Sequence, residues 1–477
     1  MKRALPFLLA LYVLPGTALG FDPLDTVRSL PPPPPMGGAP LDPSLAGDTA
    51  CPGARAPDAG NISLDEVVLR TLCADPRTRQ TWAAVRLQAA QLGIARAAWL
   101  PRVDATATTY RYGERLSQGV AASRGDQHSR DLSLDLSWTL FDFGQRSAAV
   151  DSARRTLLAA TASRDATLQQ VFLDAATSYY DLLLAQGTLS VAQEVERINL
   201  QSFLAAEAKH GAGVGALSEQ LQTQTAFAQA ILSRSKAEGA LRDAQGRLAL
   251  RIGEAPTLPL AVDPDDARLP DLAFVTEVGQ MLDAAREKHP GLRAARARLD
   301  ASKARLAAAE RAHAPSVSLV ANVVRNSTDY KGQSDPLEKD AETLGVRIDI
   351  PLFDGFGRHY QVRAARAEME QATAELEDAE QSVAREVWQS WQALQTETQT
   401  VENTGKLLDF ATKSLEIAQG RYKAGVGSTL ELLDAQRVMA DAAQQRIGTL
   451  ANWRLARLRL AASLGKLGFW SVAPPPP

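Results

Sequence analysis

Apolar and polar residues alternate where Leu132, Leu134, Leu136, Trp138 and Leu140 are separated by Ser133, Asp135, Ser137 and Thr139. A period of two gives a strand one apolar and one polar face. The alternation returns in Leu344, Val346, Ile348 and Ile350 against Gly345, Arg347 and Asp349. Weaker alternation precedes each run, after Pro101 and Pro315, so the pattern predicts strands at about 102–112, 131–141, 316–325 and 343–353. The polar segments between them, Gly113 to Arg130 and Asn326 to Glu342, read as surface loops. Strands of about ten residues with this pattern fit a transmembrane barrel. A small soluble sheet would show the same alternation with its apolar face on a core. Against that reading, the flanking Ala- and Gln-rich sequence offers few large apolar residues to cover such a face.

From Gln145 to His210 the period becomes helical: Leu168, Phe172, Ala175, Tyr179, Leu182, Leu189 and Phe203 recur at steps of three and four or their multiples. This stretch lacks proline and holds one internal glycine, Gly187; Arg358 to Gly420 likewise holds only Gly405. At 1.5 Å per residue each predicted helix extends roughly 95 Å. Small Ala, Ser and Thr residues between the larger ones allow close helix packing. Gly211-Ala212-Gly213-Val214-Gly215 and Ala424-Gly425-Val426-Gly427 then reverse the chain, because glycine reaches positive φ at little cost. Return helices follow at Ala216 to Ile252 and Ser428 to Leu464.

These features occur twice, about 212 to 214 residues apart. Pro76 matches Pro290, Ala97 to Pro101 matches Arg311 to Pro315, and Leu140-Phe141-Asp142 matches Leu352-Phe353-Asp354. Ile252-Gly253 falls on Leu464-Gly465. The chain therefore reads as a mixed α and transmembrane β protein with structural repeats at 63–253 and 277–465. Each repeat is a helix, strand, loop, strand and long helical hairpin. The Pro- and Asp-rich segment 254–276 links them and is expected to pack around the outside.

Composition narrows the reading further. The chain has 477 residues and a formal net charge of −3, which gives no electrostatic case for a nucleic-acid partner. Residues 1–20 read as a secretory signal: Lys2 and Arg3, an apolar run from Leu5 to Leu14, then Ala18-Leu19-Gly20. No cysteine follows directly, which argues against lipid anchoring. A Pro-rich extension, 21–62, and a Pro-rich tail, 466–477, flank the repeats as extended spacers. After the signal no run approaches the roughly 20 apolar residues of a spanning helix, so any membrane crossing must use strands. Cys51 and Cys73 either form a disulfide tying the extension to the first helix or remain two free thiols. Arg454, Arg457 and Arg459 on the last helix read as solvated or paired. The five histidines lack metal-ligand spacing and no phosphate-cradling loop occurs, so neither metal, cofactor nor enzyme activity is expected.

Four strands cannot close a membrane barrel, and an open edge in lipid leaves backbone groups unpaired. Several chains must share one barrel; sequence does not choose between about 8, 12 and 16 strands. The chain resembles the TolC family of outer-membrane factors over nearly the whole mature chain. The resemblance rests on the duplication, on Ala97-Ala98-Trp99-Leu100-Pro101, on Pro351-Leu352-Phe353-Asp354-Gly355 and on Arg421-Tyr422-Lys423-Ala424-Gly425. It implies a homotrimer with a barrel of about 12 strands in outer-membrane lipid, continuous with a periplasmic helical tunnel closed at its tip. It also implies that the tip turns Gly213, Val214, Gly215, Gly425, Val426 and Gly427 meet a periplasmic adaptor, with an inner-membrane ABC transporter beyond. Glu431 and Asp434, three apart on one helix face, would form two acidic rings at the aperture, whereas by themselves they read as a solvated first turn. Tyr422 and Glu219 would belong to the lock that holds the aperture shut. Where the family's best-known member has an arginine just after the second turn this chain has Gly427, leaving Lys209, Arg421 and Lys423 as replacement cations. With its Pro-rich extension the chain is similar to the outlets for adenylate cyclase-haemolysin (cyclolysin), which implies the exit duct of a type I secretion system with an RTX toxin as exported protein cargo. The alternatives are the outlet of a multidrug efflux pump and a structural coiled-coil envelope protein.

Overall fold

The protein is described by a computed structural model that covers residues 61–118, 121–262, 278–330 and 335–465. The expected signal, most of the extension with Cys51, most of the linker and the tail lie outside those residues. β1 (Asn61–Ile62), α1 (Leu64–Ala74) and α2 (Pro76–Ala97) lead into β2 (Arg102–Gln118), β3 (Ala121–Phe141), α3 (Gln145–Gly211) and α4 (Leu217–Arg251). After β4 (Ala261–Val262) come α5 (Val278–Lys288), α6 (Pro290–Arg311), β5 (Ser316–Tyr330), β6 (Leu337–Asp349), α7 (Gly357–Lys423) and α8 (Thr429–Ser463). α2 and α6 each have 22 residues, α3 and α7 each 67, α4 and α8 each 35. At 1.5 Å per residue α3 and α7 each reach roughly 100 Å.

β2, β3, β5 and β6 form one antiparallel sheet in that order, leaving β2 and β6 as its edges. The strands differ from the sequence expectation. Residues 113–118 and 121–130, expected as loop, continue the β2–β3 ladder from Gly113 opposite Asp126 to Gln118 opposite Ala121. β5 likewise runs to Tyr330, and β6 begins at Leu337 rather than near 343. Antiparallel backbones satisfy each other's N–H and C=O groups whatever their side chains, so pairing outlasts the apolar alternation. β6 stops at Asp349, before Pro351, which has no N–H to donate.

One sheet face is apolar and uncovered. Leu132, Leu134, Trp138, Leu140, Leu344, Val346, Ile348 and Ile350 are all exposed. Across the other face Asn322 donates to Asp135 at 2.5 Å, and the Ser129 and Thr328 hydroxyls meet at 3.1 Å. A soluble sheet would bury its apolar face; this one leaves it uncovered.

The strands enter the long helices through sharp elbows. Phe143 and Gly144 have φ of 51° and 87°, and Gly355 and Phe356 both have φ of 67°. In the first elbow Arg146 Nε donates to Asp142 Oδ2 at 2.7 Å and its Nη1 to the Thr139 carbonyl at 2.6 Å. The same guanidinium stacks over Trp99 at 4.2 Å, while Trp138 Nε1 donates to the Trp99 carbonyl at 3.0 Å. Burial pushes the Asp142 carboxyl up, but hydrogen bonds and charge from Arg146, with backbone N–H groups, hold it below the ordinary carboxylate value. The second elbow is looser: Asp354 and Arg358 are exposed, and Asp354 Oδ2 accepts from the Arg358 backbone N–H at 2.8 Å.

The long helices are clasped at mid-length. Leu168, Val171, Phe172 and Tyr179 of α3 pack with Val67 and Val68 of α1, Leu248 of α4 and Val262 of β4. β1 and β4 pair in parallel there, Asn61 with Ala261 and Ile62 with Val262. In the second repeat Met281 and Ala285 of α5 join Val383 and Val387 of α7 and Trp453 and Leu460 of α8.

α2 and α6 both begin at proline, which lacks only an N–H that a first turn leaves unpaired. Their caps differ: Asp75 accepts from Arg77 N at 2.8 Å, whereas His289 Nδ1 accepts from Gly291 N at 3.1 Å. An accepting imidazole must be neutral, and burial pushes its pKa below the ordinary value of 6.5. Below pH 6.5 the unfolded chain takes up a proton that folded His289 resists, so stability should fall with pH in that window. His289→Asn, a cap that does not titrate, is expected to flatten the slope of denaturation midpoint against pH below about 6.5. An unchanged slope would show that other groups set it.

Candidate functional site

The two hairpin tips sit at the ends of α3 and α7, where Gly213 and Gly425 take φ of 72° and 76°. Val214 N donates to Lys209 O and Val426 N to Arg421 O, both at 3.0 Å, the six-to-one bond of a glycine-closed helix end. The backbone is drawn in so tightly that a Cβ on Gly215 or Gly427 would lie 2.9 Å from the Cβ of Lys209 or Arg421. Gly427 therefore leaves no room for a side chain in this tip. Val214 and Val426 project outward, 80% and 69% exposed.

Tyr422 ends α7 with its ring buried among Ile198, Leu415, Ala418 and Leu432. Lys209, from the other hairpin, places Nζ 3.9 Å from the centroid of that ring. This cation–π contact joins the two tips within one protomer. The Tyr422 hydroxyl is buried and has no hydrogen-bond partner among the described residues, and neither does Thr429 Oγ1 beside the turn. Glu219 is half-buried at the start of α4, and among the described residues its carboxylate makes no hydrogen bond or ion pair. Among the described residues no hydrogen bond joins the two lock candidates, Tyr422 and Glu219.

Glu431 and Asp434 lie in the first turns of α8, which Ser428 caps by accepting from Glu431 N at 3.1 Å. Neither carboxylate stands alone: Arg421 Nε is 3.1 Å from Glu431, and Arg437 Nη2 is 3.2 Å from Asp434. Arg437 also reaches Asp441 at 3.4 Å. All five groups are exposed, so each pair contributes little to stability, about 0–1 kcal/mol; what they alter is the field at the tip. Of the cations expected to stand in for that arginine, Lys209 takes Tyr422 and Arg421 takes Glu431, while Lys423 contacts neither among the described residues. Arg437 was missed at sequence level, although Asp434-Arg437-Asp441 has the three- and four-residue spacing of facing helical pairs.

Cys73, near the end of α1, is disulfide-bonded; its expected partner Cys51 lies outside the described residues. No group of three or more His, Cys, Asp or Glu side chains that could hold a metal occurs among the described residues. No described helix is long and apolar enough to cross a membrane.

Against this geometry stand the likenesses to known proteins. The model of the family described as outer membrane efflux protein matches residues 67–254 and 281–466, one segment in each half of the chain. Protein CyaE of Bordetella pertussis is 31% identical over 423 residues, covering 87% of both chains. Outer membrane protein TolC of Escherichia coli is 21% identical over 420 residues, covering 85% of this chain and 82% of its own. The solved structure of CusC, described in connection with transmembrane channel formation, superposes with a TM-score of 0.72 at 22% identity, over 85% of this chain and 92% of that one.

Proposed function

From the premise that this chain belongs to the outer membrane efflux protein family, we propose that it is one third of a homotrimeric exit duct. Three copies of the sheet would join β6 of one protomer to β2 of the next in a barrel of about 12 strands. The observation that carries this reading is the sheet itself, with two open edges and an outward apolar face, continuous through its elbows with helices long enough to cross a periplasm. An open sheet in lipid would leave both edges unpaired, whereas closure between protomers satisfies them. The protein is an outer-membrane channel with its helical tunnel in the periplasm; its cargo, we infer, is a secreted protein handed on by an adaptor and an inner-membrane ABC transporter. Likeness to cyclolysin outlets supports an RTX toxin over a drug as that cargo. Deleting the gene should abolish toxin release while leaving drug sensitivity unchanged; the reverse outcome would favour the multidrug outlet.

The tips Gly213 to Gly215 and Gly425 to Gly427 serve in this reading as the adaptor contact, with Glu431 and Asp434 lining the aperture. Replacing both with alanine would leave Arg421 and Arg437 without these partners and turn the local balance from acidic toward basic. Channels of purified protein in planar bilayers should then lose cation preference and divalent block. Retention of both would remove these residues from the aperture.

A further inference from the structure

The two hairpins meet inside the protomer through α3 and α8. Toward the tips α3 buries Ile198 and Ser202 in that junction, and α8 buries Thr429, Leu432 and Gln436. Gln436 Nε2 donates to Ser202 Oγ at 2.9 Å, with Gln436 only 3% and Ser202 8% exposed. The Ser202 hydroxyl donates onward to the Ile198 carbonyl at 3.1 Å. Such a bond fixes the register of one helix on the other, because a slip by one turn would leave both groups buried and unpaired.

Duplication supplies the same pair again. Ser414 of α7 and Gln224 of α4 each stand about 212 residues from their counterparts Ser202 and Gln436, with the residue types unchanged. Their surroundings are opposite. α4 and α7 share no packed face within the chain, and Ser414 and Gln224 are exposed, with no side-chain hydrogen bond among the described residues. The apolar positions beside them are uncovered too: Phe410, the counterpart of buried Ile198, is 66% exposed, and Leu407, Leu217 and Leu221 are exposed. Leu407, Phe410 and Ser414 step by three and four, and Leu217, Leu221 and Gln224 by four and three, the stepping of a coiled-coil seam. The contact between Lys209 and Tyr422 is not repeated, since the counterpart positions hold Arg421 and His210. The Ser–Gln pair is present in both copies.

We propose that α7 of one protomer seats on α4 of the next as α3 seats on α8 within each, and that Gln224 of the partner subunit donates to Ser414 Oγ. The proposal rests on the homotrimeric-duct reading. The occupant of each stripe is a second copy of this chain, because the complement of each lies on the chain's own other side. α7 follows β6, and α4 lies in the repeat that contributes β2, so the same two neighbours that join β6 to β2 also join α7 to α4. One face meets a different face of the neighbour, a head-to-tail contact that closes as a ring. Around the tube, hydrogen bonds within protomers then alternate with equivalent bonds between them.

The test uses the full chain purified in detergent. Ser414→Cys with Gln224→Cys, treated with a short bismaleimide, should give covalent dimers and trimers on denaturing gels. Ser202→Cys with Gln436→Cys should crosslink only within single chains, which shows that the reagent spans this pair. Thr412→Cys with Gln224→Cys should give no crosslink, because two residues along α7 turn the side chain to nearly the opposite face. Single-cysteine variants serve as blanks. Ser414→Ala and Gln224→Ala should each speed subunit exchange between trimers at least about fivefold, the loss of one hydrogen bond, and the double variant no further than either alone. Monomeric products from Ser414→Cys with Gln224→Cys, in protein that light scattering finds trimeric, overturn the seating while leaving the duct standing. Additive effects of the two alanine substitutions overturn the hydrogen bond. Unaltered protein that is not trimeric overturns the duct, and the seating with it.

Discussion

Arg146→Ala is expected to destabilise the protein by about 3–5 kcal/mol, the cost of stripping one partner from a buried ion pair. Its side chain and that of Asp142 are only 10% and 6% exposed. Truncation leaves the Asp142 carboxylate buried without its main partner, frees the Thr139 carbonyl and removes the cation from the Trp99 ring. The second repeat supplies the control. Arg358→Ala, at the equivalent exposed elbow, should cost about 1 kcal/mol or less. Thermal or denaturant unfolding of the assembled protein in detergent compares the two; equal losses would mean that the first elbow is not the tighter joint.

Tyr422→Ala should loosen the tip and raise single-channel conductance severalfold. Truncating a buried aromatic costs about 3–5 kcal/mol, and this ring is also the surface on which Lys209 ties the two hairpins together. Tyr422→Phe is the informative companion. Among the described residues of the protomer the hydroxyl has no partner, so its loss should leave the closed tip intact or slightly firmer. If instead Glu219 of a neighbouring protomer accepts from that hydroxyl in the trimer, the Phe variant should open almost as the Ala variant does. Conductance of the two variants thus separates a wedge inside each protomer from a lock between protomers.

Much of the architecture was legible because it is periodic. Leu132 to Leu140 announced a half-buried strand, the long proline-free stretches announced helices, and Pro76 with Pro290 marked where two of them start. Elements without a period were not legible: Asn61–Ile62 and Ala261–Val262 are too short to show one, and their pairing joins residues about 200 apart. The loops expected at 113–130 and 326–342 proved largely strand, because polar side chains weaken a sequence signal without weakening a ladder. At the tip, the residues were legible and their partners were not. Equivalent positions diverge: Arg421 holds the Glu431 of its own hairpin, whereas Lys209 passes over its counterpart Glu219 to reach Tyr422.

The sequence by itself determined that the chain is a duplicated unit of strands and long helical hairpins, since periodicity and turn glycines act locally and depend on nothing far away. Only the tertiary structure decided which face of the long helices α1 and β4 cover, which elbow is buried and which carboxylates stand uncompensated. Those outcomes depend on distance and burial between segments far apart in the chain, and two copies of one pattern acquire different partners once packing places them side by side.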